Sequence, residues 1–159
     1  MLRFDPVEEA RRHWEAHGWT DAAKGMAVVT AVMRVQQIFL ARTDEVLKPL
    51  GLTFARYEVL MLLLFSKEGR LPLGKIGERL QVHAASVTNA IDRLEADGLV
   101  AREPNPRDGR GTLAVLTLRG RRLAEQATEQ LNALVFSGVA HDERVVEVLR
   151  QIRRDAGDF

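Results

Sequence analysis

The chain has no cysteine, one tyrosine, two tryptophans and five prolines in 159 residues. Without a thiol there is no disulfide, no thiolate nucleophile and no thiol redox sensor, and the composition fits a cytoplasmic protein. No run approaches the ~18 uninterrupted apolar residues of a membrane span, so no membrane partner is expected. The first nineteen residues carry acids early and lack the apolar core of an export signal. Nucleophile elbows, phosphate loops and paired-carboxylate motifs are also missing, and the glycines fall in turns. Neither a cofactor nor an enzymatic activity is expected, and no residue is assigned a catalytic role.

Charge is nearly balanced, at a net +1, but unevenly placed. Residues 66–122 hold eleven Lys or Arg against seven Asp or Glu, whereas the rest of the chain is net acidic. A basic excess confined to one segment suits contact with phosphate.

The patterning is mostly helical. Val28, Val32, Val35, Phe39, Val46 and Leu50 recur at three- and four-residue spacings or their sum, which predicts one long helix starting at Thr20 and closed by Pro49 and Gly51. Thr53 is placed to cap a second helix, 54–66, apolar almost all round and so expected at the buried centre. Gly69 is expected to break it. Two short helices follow, 71–80 and 83–99, the latter ended by Gly98. Asn105, Pro106, Asp108, Gly109 and Gly111 then form a turn between two β-prone runs, a hairpin with a basic tip. Thr117 can cap a fifth helix. Beyond Gly138 a last helix covers 141–154, with Val145, Val148, Leu149 and Ile152 on one face.

The fold class expected is mainly α with a small β-wing. Its parts are an N-terminal extension and dimerisation helix over 1–50, a winged helix-turn-helix lobe over 51–117, and C-terminal dimerisation helices over 118–159. The apolar stripes of the first and last segments exceed what a small lobe can cover, which points to a second copy of the chain, a homodimer.

Two short helices joined at Gln81-Val82 make a helix-turn-helix, whose second helix enters a major groove led by its first turns. Those turns carry Ser86, Thr88 and Asn89, which offer hydroxyl and amide groups to base edges. Val87, Ile91 and Leu94 fall on the opposite, apolar face. Arg93, one turn on, is placed for a phosphate, and Lys75 on the preceding helix joins the set of DNA contacts. At the hairpin tip, Arg107 and Arg110 suit the negative potential of a minor groove, with Asp108 orienting a neighbouring arginine. Set against this, Ser, Thr and Asn favour helix starts for capping alone, and the tip could be an ordinary solvated turn.

The order of elements resembles the multiple-antibiotic-resistance regulator (MarR) family over about residues 25–155. The most specific stretch runs from Arg93–Val100 through the Asp108-Gly109-Arg110 wing to Leu116–Arg121. The resemblance implies a homodimer that binds double-stranded DNA at pseudo-palindromic operators. It also implies repression relieved by a small, anionic or aromatic effector. The N-terminal extension is similar to the extra helix of the urate-responsive branch of that family. On that likeness Trp14, Glu58 and Arg102 are candidate ligand-binding residues, while Ala90 stands where that branch carries an arginine.

Two other readings are weighed. His13 and His17, four apart, could share a metal with Glu58 in a small enzyme, but only two imidazoles are visible and no metal site is expected. Alternatively, the winged helix could bind a ligand or protein without reading DNA.

Overall fold

The computed structural model describes residues 2–108, 111–139 and 142–159. The chain divides into two compact units, one ending at Asp44 and one running from Glu45 to Phe159.

The first unit holds helix α1 (Pro6–Ala16) and most of helix α2 (Thr20–Leu47). Asp5 caps α1 by accepting the Val7 N–H at 2.9 Å, Pro6 stands where no helical N–H is needed, and Glu8 and Glu9 complement the positive end of the helix. Gly18, at φ 84°, ends it. Trp14 meets Trp19 edge to face at 5.3 Å between ring centroids, and His17 stacks on Trp19 at 5.6 Å. Along α2 the apolar stripe is largely uncovered. Val28, Val32, Val35 and Phe39 are between 36% and 51% exposed, whereas Val46 is buried.

The second unit begins in the last turn of α2, which passes into a 3-10 turn over Lys48–Leu50 that Gly51 closes. Thr53 accepts the Arg56 N–H and starts helix α3 (Phe54–Phe65). Tyr57, Val59, Leu60 and Leu63 of α3 are buried, so α3 is the central helix, although Phe65 at its end is 78% exposed. Ser66 ends the helix and Gly69 comes only after a further 3-10 turn. Strand β1 (Arg70–Pro72) follows, then α4 (Leu73–Leu80), α5 (Ala84–Ala96), strands β2 (Val100–Pro104) and β3 (Thr112–Leu116), α6 (Leu118–Leu134) and α7 (Glu143–Asp155).

The sheet has the order β1-β3-β2, all antiparallel, with Leu71 opposite Ala114 and Arg102 opposite Ala114 on the other side. The hairpin is the one expected from the sequence; the third strand is not. Leu71 and Pro72 read as the start of a helix, but Pro72 has no N–H to donate and sits at ψ 141°, a conformation that fits a sheet edge. Leu52, Leu60, Leu63, Ile76, Ile91, Leu94 and Leu131 are fully buried and join α3 to α4, α5 and α6. Tyr57 and Thr128 share a hydrogen bond of 3.0 Å between α3 and α6.

Two backbone details fix the lobe. Gly98, at φ 69°, turns the chain out of α5, its N–H bonded to the Glu95 carbonyl and the Leu99 N–H to the Leu94 carbonyl. At the start of α6, Thr117 caps the helix by accepting the Gly120 N–H, and donates its own hydroxyl towards the Gly98 and Leu99 carbonyls. Helix α7 is capped by Asp142 and has no buried residue; Val145, Val148, Leu149 and Ile152 are 43% to 58% exposed.

Candidate nucleic-acid interface

Helices α4 and α5 form the helix-turn-helix. Gln81 takes the left-handed conformation at the end of α4, and the Val82 N–H returns to the Gly77 carbonyl. The helices approach closely enough that a side chain at Gly77 would press on the Val82 carbonyl oxygen at 3.3 Å. Buried Ile76 and Val87 hold the pair to the lobe.

Helix α5 has two faces. Val87, Ile91 and Leu94 are at most 2% exposed and anchor it. Ser86, Thr88, Asn89 and Arg93 are exposed. Thr88 donates its hydroxyl to the Ala84 carbonyl at 3.1 Å, which leaves the oxygen free to accept. Among the described residues the side chains of Ser86, Asn89 and Arg93 have no partner. His83 makes no side-chain cap, and its carbonyl accepts the Ser86 N–H at 2.9 Å. Lys75 is exposed on α4 and paired with Glu78 at 2.6 Å.

In the wing, Asn105 shapes the turn after β2. Its side-chain oxygen accepts the Arg107 N–H at 3.0 Å and its carbonyl accepts the Asp108 N–H at 3.1 Å. Arg107 and Asp108 are exposed. Arg110 lies outside the described residues. A hollow of about 320 Å³ brings Lys67 and Arg70 beside Asn105 and Arg107. Sequence reading singled out only Arg107 of these cations, because the others lie some forty residues away and only the sheet joins them. Arg70 is engaged by Glu68 at 3.5 Å and Glu103 at 3.3 Å.

The three ligand candidates are placed differently. Trp14 is in the first unit, half-buried against Trp19. Glu58 is half-buried on α3, where burial pushes its carboxyl above the ordinary range. Arg102, on β2, is already engaged within the lobe. Its guanidinium bonds Asp92 and Glu95 of α5, and its backbone N–H bonds Glu95 Oε1 at 3.2 Å. The histidines serve α1 locally: His13 lies 3.5 Å from Glu9, and the His17 ring is 2.8 Å from the His13 carbonyl. Among the described residues no group of three or more His, Asp or Glu could hold a metal.

The raised pKa of Glu58 has a signed consequence. A carboxyl whose folded pKa lies above its unfolded value binds more protons when folded, so its ionisation opposes folding as pH rises. That penalty is absent below the unfolded value and complete above the folded one. Glu58→Gln is therefore expected to raise the melting temperature at neutral pH, with the advantage vanishing in acid below the ordinary carboxylate range. Thermal melts of both proteins across pH check it; an equal gain at all pH values would show that packing, not charge, is responsible.

A buried-faced helix with a bare polar face, set beside an arginine-bearing β-hairpin, defines a winged helix-turn-helix reading head. The comparisons agree with the geometry. Residues 50–111 match the MarR family model. A MarR family transcriptional regulator of Streptomyces coelicolor, Sco5413, is 54% identical, over 86% of this chain and 97% of that one, with a TM-score of 0.76. The transcriptional repressor Rv2887 of Mycobacterium tuberculosis is 31% identical over 100 residues, 63% of this chain and 70% of that protein. A mutant of Escherichia coli MarR, solved with operator DNA, is 26% identical over 82% of this chain and 95% of that one, with a TM-score of 0.69. The chain belongs to the MarR family of transcriptional regulators. Its alignments cover between 46% and 70% of the length of its curated relatives. Among the described residues no helix is long and apolar enough to cross a membrane.

Proposed function

We propose that the chain is a homodimeric repressor that reads a pseudo-palindromic operator and releases it when a small molecule binds. The observation that carries the DNA-reading part is the division of α5. Its apolar residues are sunk in the core, while Ser86, Thr88, Asn89 and Arg93 are exposed and, among the described residues, have no competing side-chain partner except the Thr88 back-bond. Asn89 is assigned to a base edge, Ser86 and Thr88 to bases or sugar, and Arg93, Lys75 and Arg107 to phosphates. Arg110 with Asp108 is assigned to the minor groove. Lys67 extends the cationic surface at the foot of the wing.

The homodimer rests on the uncovered apolar faces of α2 and α7, on the same physics that buries any amphipathic helix. The effector reading rests on Glu58 and Trp14. Glu58 is a half-buried carboxyl, its pKa raised by burial, that can hydrogen-bond a polar ligand, and an indole can stack on an aromatic one. With no cysteine in the chain, release by thiol oxidation is excluded.

Selection of bound fragments from a genomic pool tests the reading. One site with two related halves is the expected result, and retention of no fragment above background favours a winged helix that binds something other than DNA. On the selected site, Asn89→Ala is expected to weaken binding by ~1–3 kcal/mol and relax base preference. Arg107→Ala is expected to weaken binding to all sequences and lower the salt slope by about one unit. Mobility shifts at two salt concentrations separate the two behaviours.

A further inference from the structure

Helix α5 carries two carboxylates, Asp92 and Glu95, three residues apart on one face. In a helix that approaches DNA these charges are unfavourable, since they meet the repulsion of the phosphates. The structure shows what they hold. Arg102, from the middle of β2, reaches both: one guanidinium nitrogen bonds Asp92, another bonds Glu95 Oε2, and the Arg102 backbone N–H bonds the other Glu95 oxygen, Oε1, at 3.2 Å. The arginine is only 26% exposed, and its proton is held more firmly than usual by the hydrogen bond to Asp92. A flat guanidinium forked between two acids, with the backbone joined in, fixes direction as well as distance.

The two ends of this contact are the two arms of the reading head. Arg102 lies two residues before Pro104, where the strand gives way to the wing turn that carries Arg107 and Asp108. Asp92 and Glu95 lie one and two turns beyond Asn89. A further pair, Arg56 with Asp97 at 3.6 Å, ties the end of α5 to α3. Thus the C-terminal half of α5 is braced by charge from two sides, while its first two turns stay free to face DNA.

We propose that Arg102 with Asp92 and Glu95 is a clamp that sets the angle between the groove-reading helix and the wing. Arg102 is then a positioning residue for DNA recognition and touches no DNA itself. A rigid angle lets helix and wing engage adjacent grooves together without ordering either arm at the moment of binding, so it sharpens selectivity for the right site more than general affinity. The proposal rests on the DNA-reading function above.

The test breaks the clamp from both sides in the full chain. Arg102→Gln removes one positive charge; Asp92→Asn with Glu95→Gln removes two negative ones. Simple attraction to phosphate predicts weaker binding for the first and tighter binding for the second. The clamp predicts that both lose selectivity, measured as the affinity for a duplex selected by the parent relative to a scrambled duplex of equal length. The expected loss in that ratio is about 3- to 30-fold for each, the range of measured couplings between sites within one protein. The salt slope on the scrambled duplex should match the parent for Arg102→Gln. A slope lower by about one unit would make Arg102 a phosphate contact and overturn the clamp. An unchanged ratio in either variant, or a fall in both affinities together with a lower melting temperature, also overturns it. If the parent selects no site, the DNA-reading function fails first and takes the clamp with it.

Discussion

Gly120→Ala is expected to destabilise the protein by about 3 kcal/mol or more, even though alanine is the better helix former by roughly 1 kcal/mol. A Cβ at this position would stand 2.0 Å from the Leu99 carbonyl oxygen and 2.9 Å from a Leu116 methyl group. The oxygen cannot yield readily. It accepts the Thr117 N–H at 3.1 Å and the Thr117 hydroxyl at 3.0 Å, contacts that join the end of α5 to the start of α6. To admit the methyl group, α6 must move away from the β2 junction and uncover Ala124 and Ala127, which are fully buried. The two physical effects have opposite signs, so urea unfolding decides between them. A midpoint equal to or above that of the parent would mean that the junction is looser than the structure shows. The accompanying fall in melting temperature should be roughly 6–12 °C for a chain of this size.

A double substitution on α7, Leu149→Glu with Ile152→Glu, is expected to leave the chain folded and to abolish the proposed homodimer. Both residues are 43% exposed, no residue of α7 is buried, and neither belongs to the core cluster of the lobe. Two charges in an apolar interface between copies, however, would have to be desolvated without partners. The effect on DNA is larger than on assembly alone. In a dimer the second reading head binds its half-site intramolecularly, which raises affinity by about 100- to 10,000-fold over a single head. That factor should be lost. Sedimentation equilibrium reads the mass, circular dichroism reads the fold, and mobility shift reads the affinity. Twice the chain mass persisting in the variant would place the interface elsewhere, with the exposed face of α2 the next to test.

Much of the lobe is legible in the sequence because its signals are local. Thr53 and Thr117 are caps whose hydroxyls reach backbone N–H groups three residues on, and the residues that decide this are neighbours in sequence. Gly98 stops α5 as expected for the same reason. The alternation of Val87, Ile91 and Leu94 with Ser86, Thr88 and Asn89 follows from helical period alone, and the two sets fall on the buried and exposed faces as that period requires. Boundaries are less legible at α4, where the sequence starts the helix at Leu71, yet it begins at Leu73 after strand β1.

What sequence could not supply are the contacts made at a distance. Strand β1 is three residues long and exists because β3 offers its edge to Arg70–Pro72; its own residues carry no strand pattern to detect. Lys67 and Arg70 stand beside Arg107 for the same topological reason. Arg102 is the clearest case. The likeness to the urate-responsive branch suggested a ligand for it, but ten and seven residues before it Asp92 and Glu95 stand on the face of α5 that β2 passes. The chain by itself determined which residues form helices, which faces are apolar and where the turns lie, because hydrogen bonding and side-chain period act over a few residues. Only the tertiary structure decided which charges meet, since an ion pair depends on the path of the whole chain between its partners, and that path is set by packing of the common core.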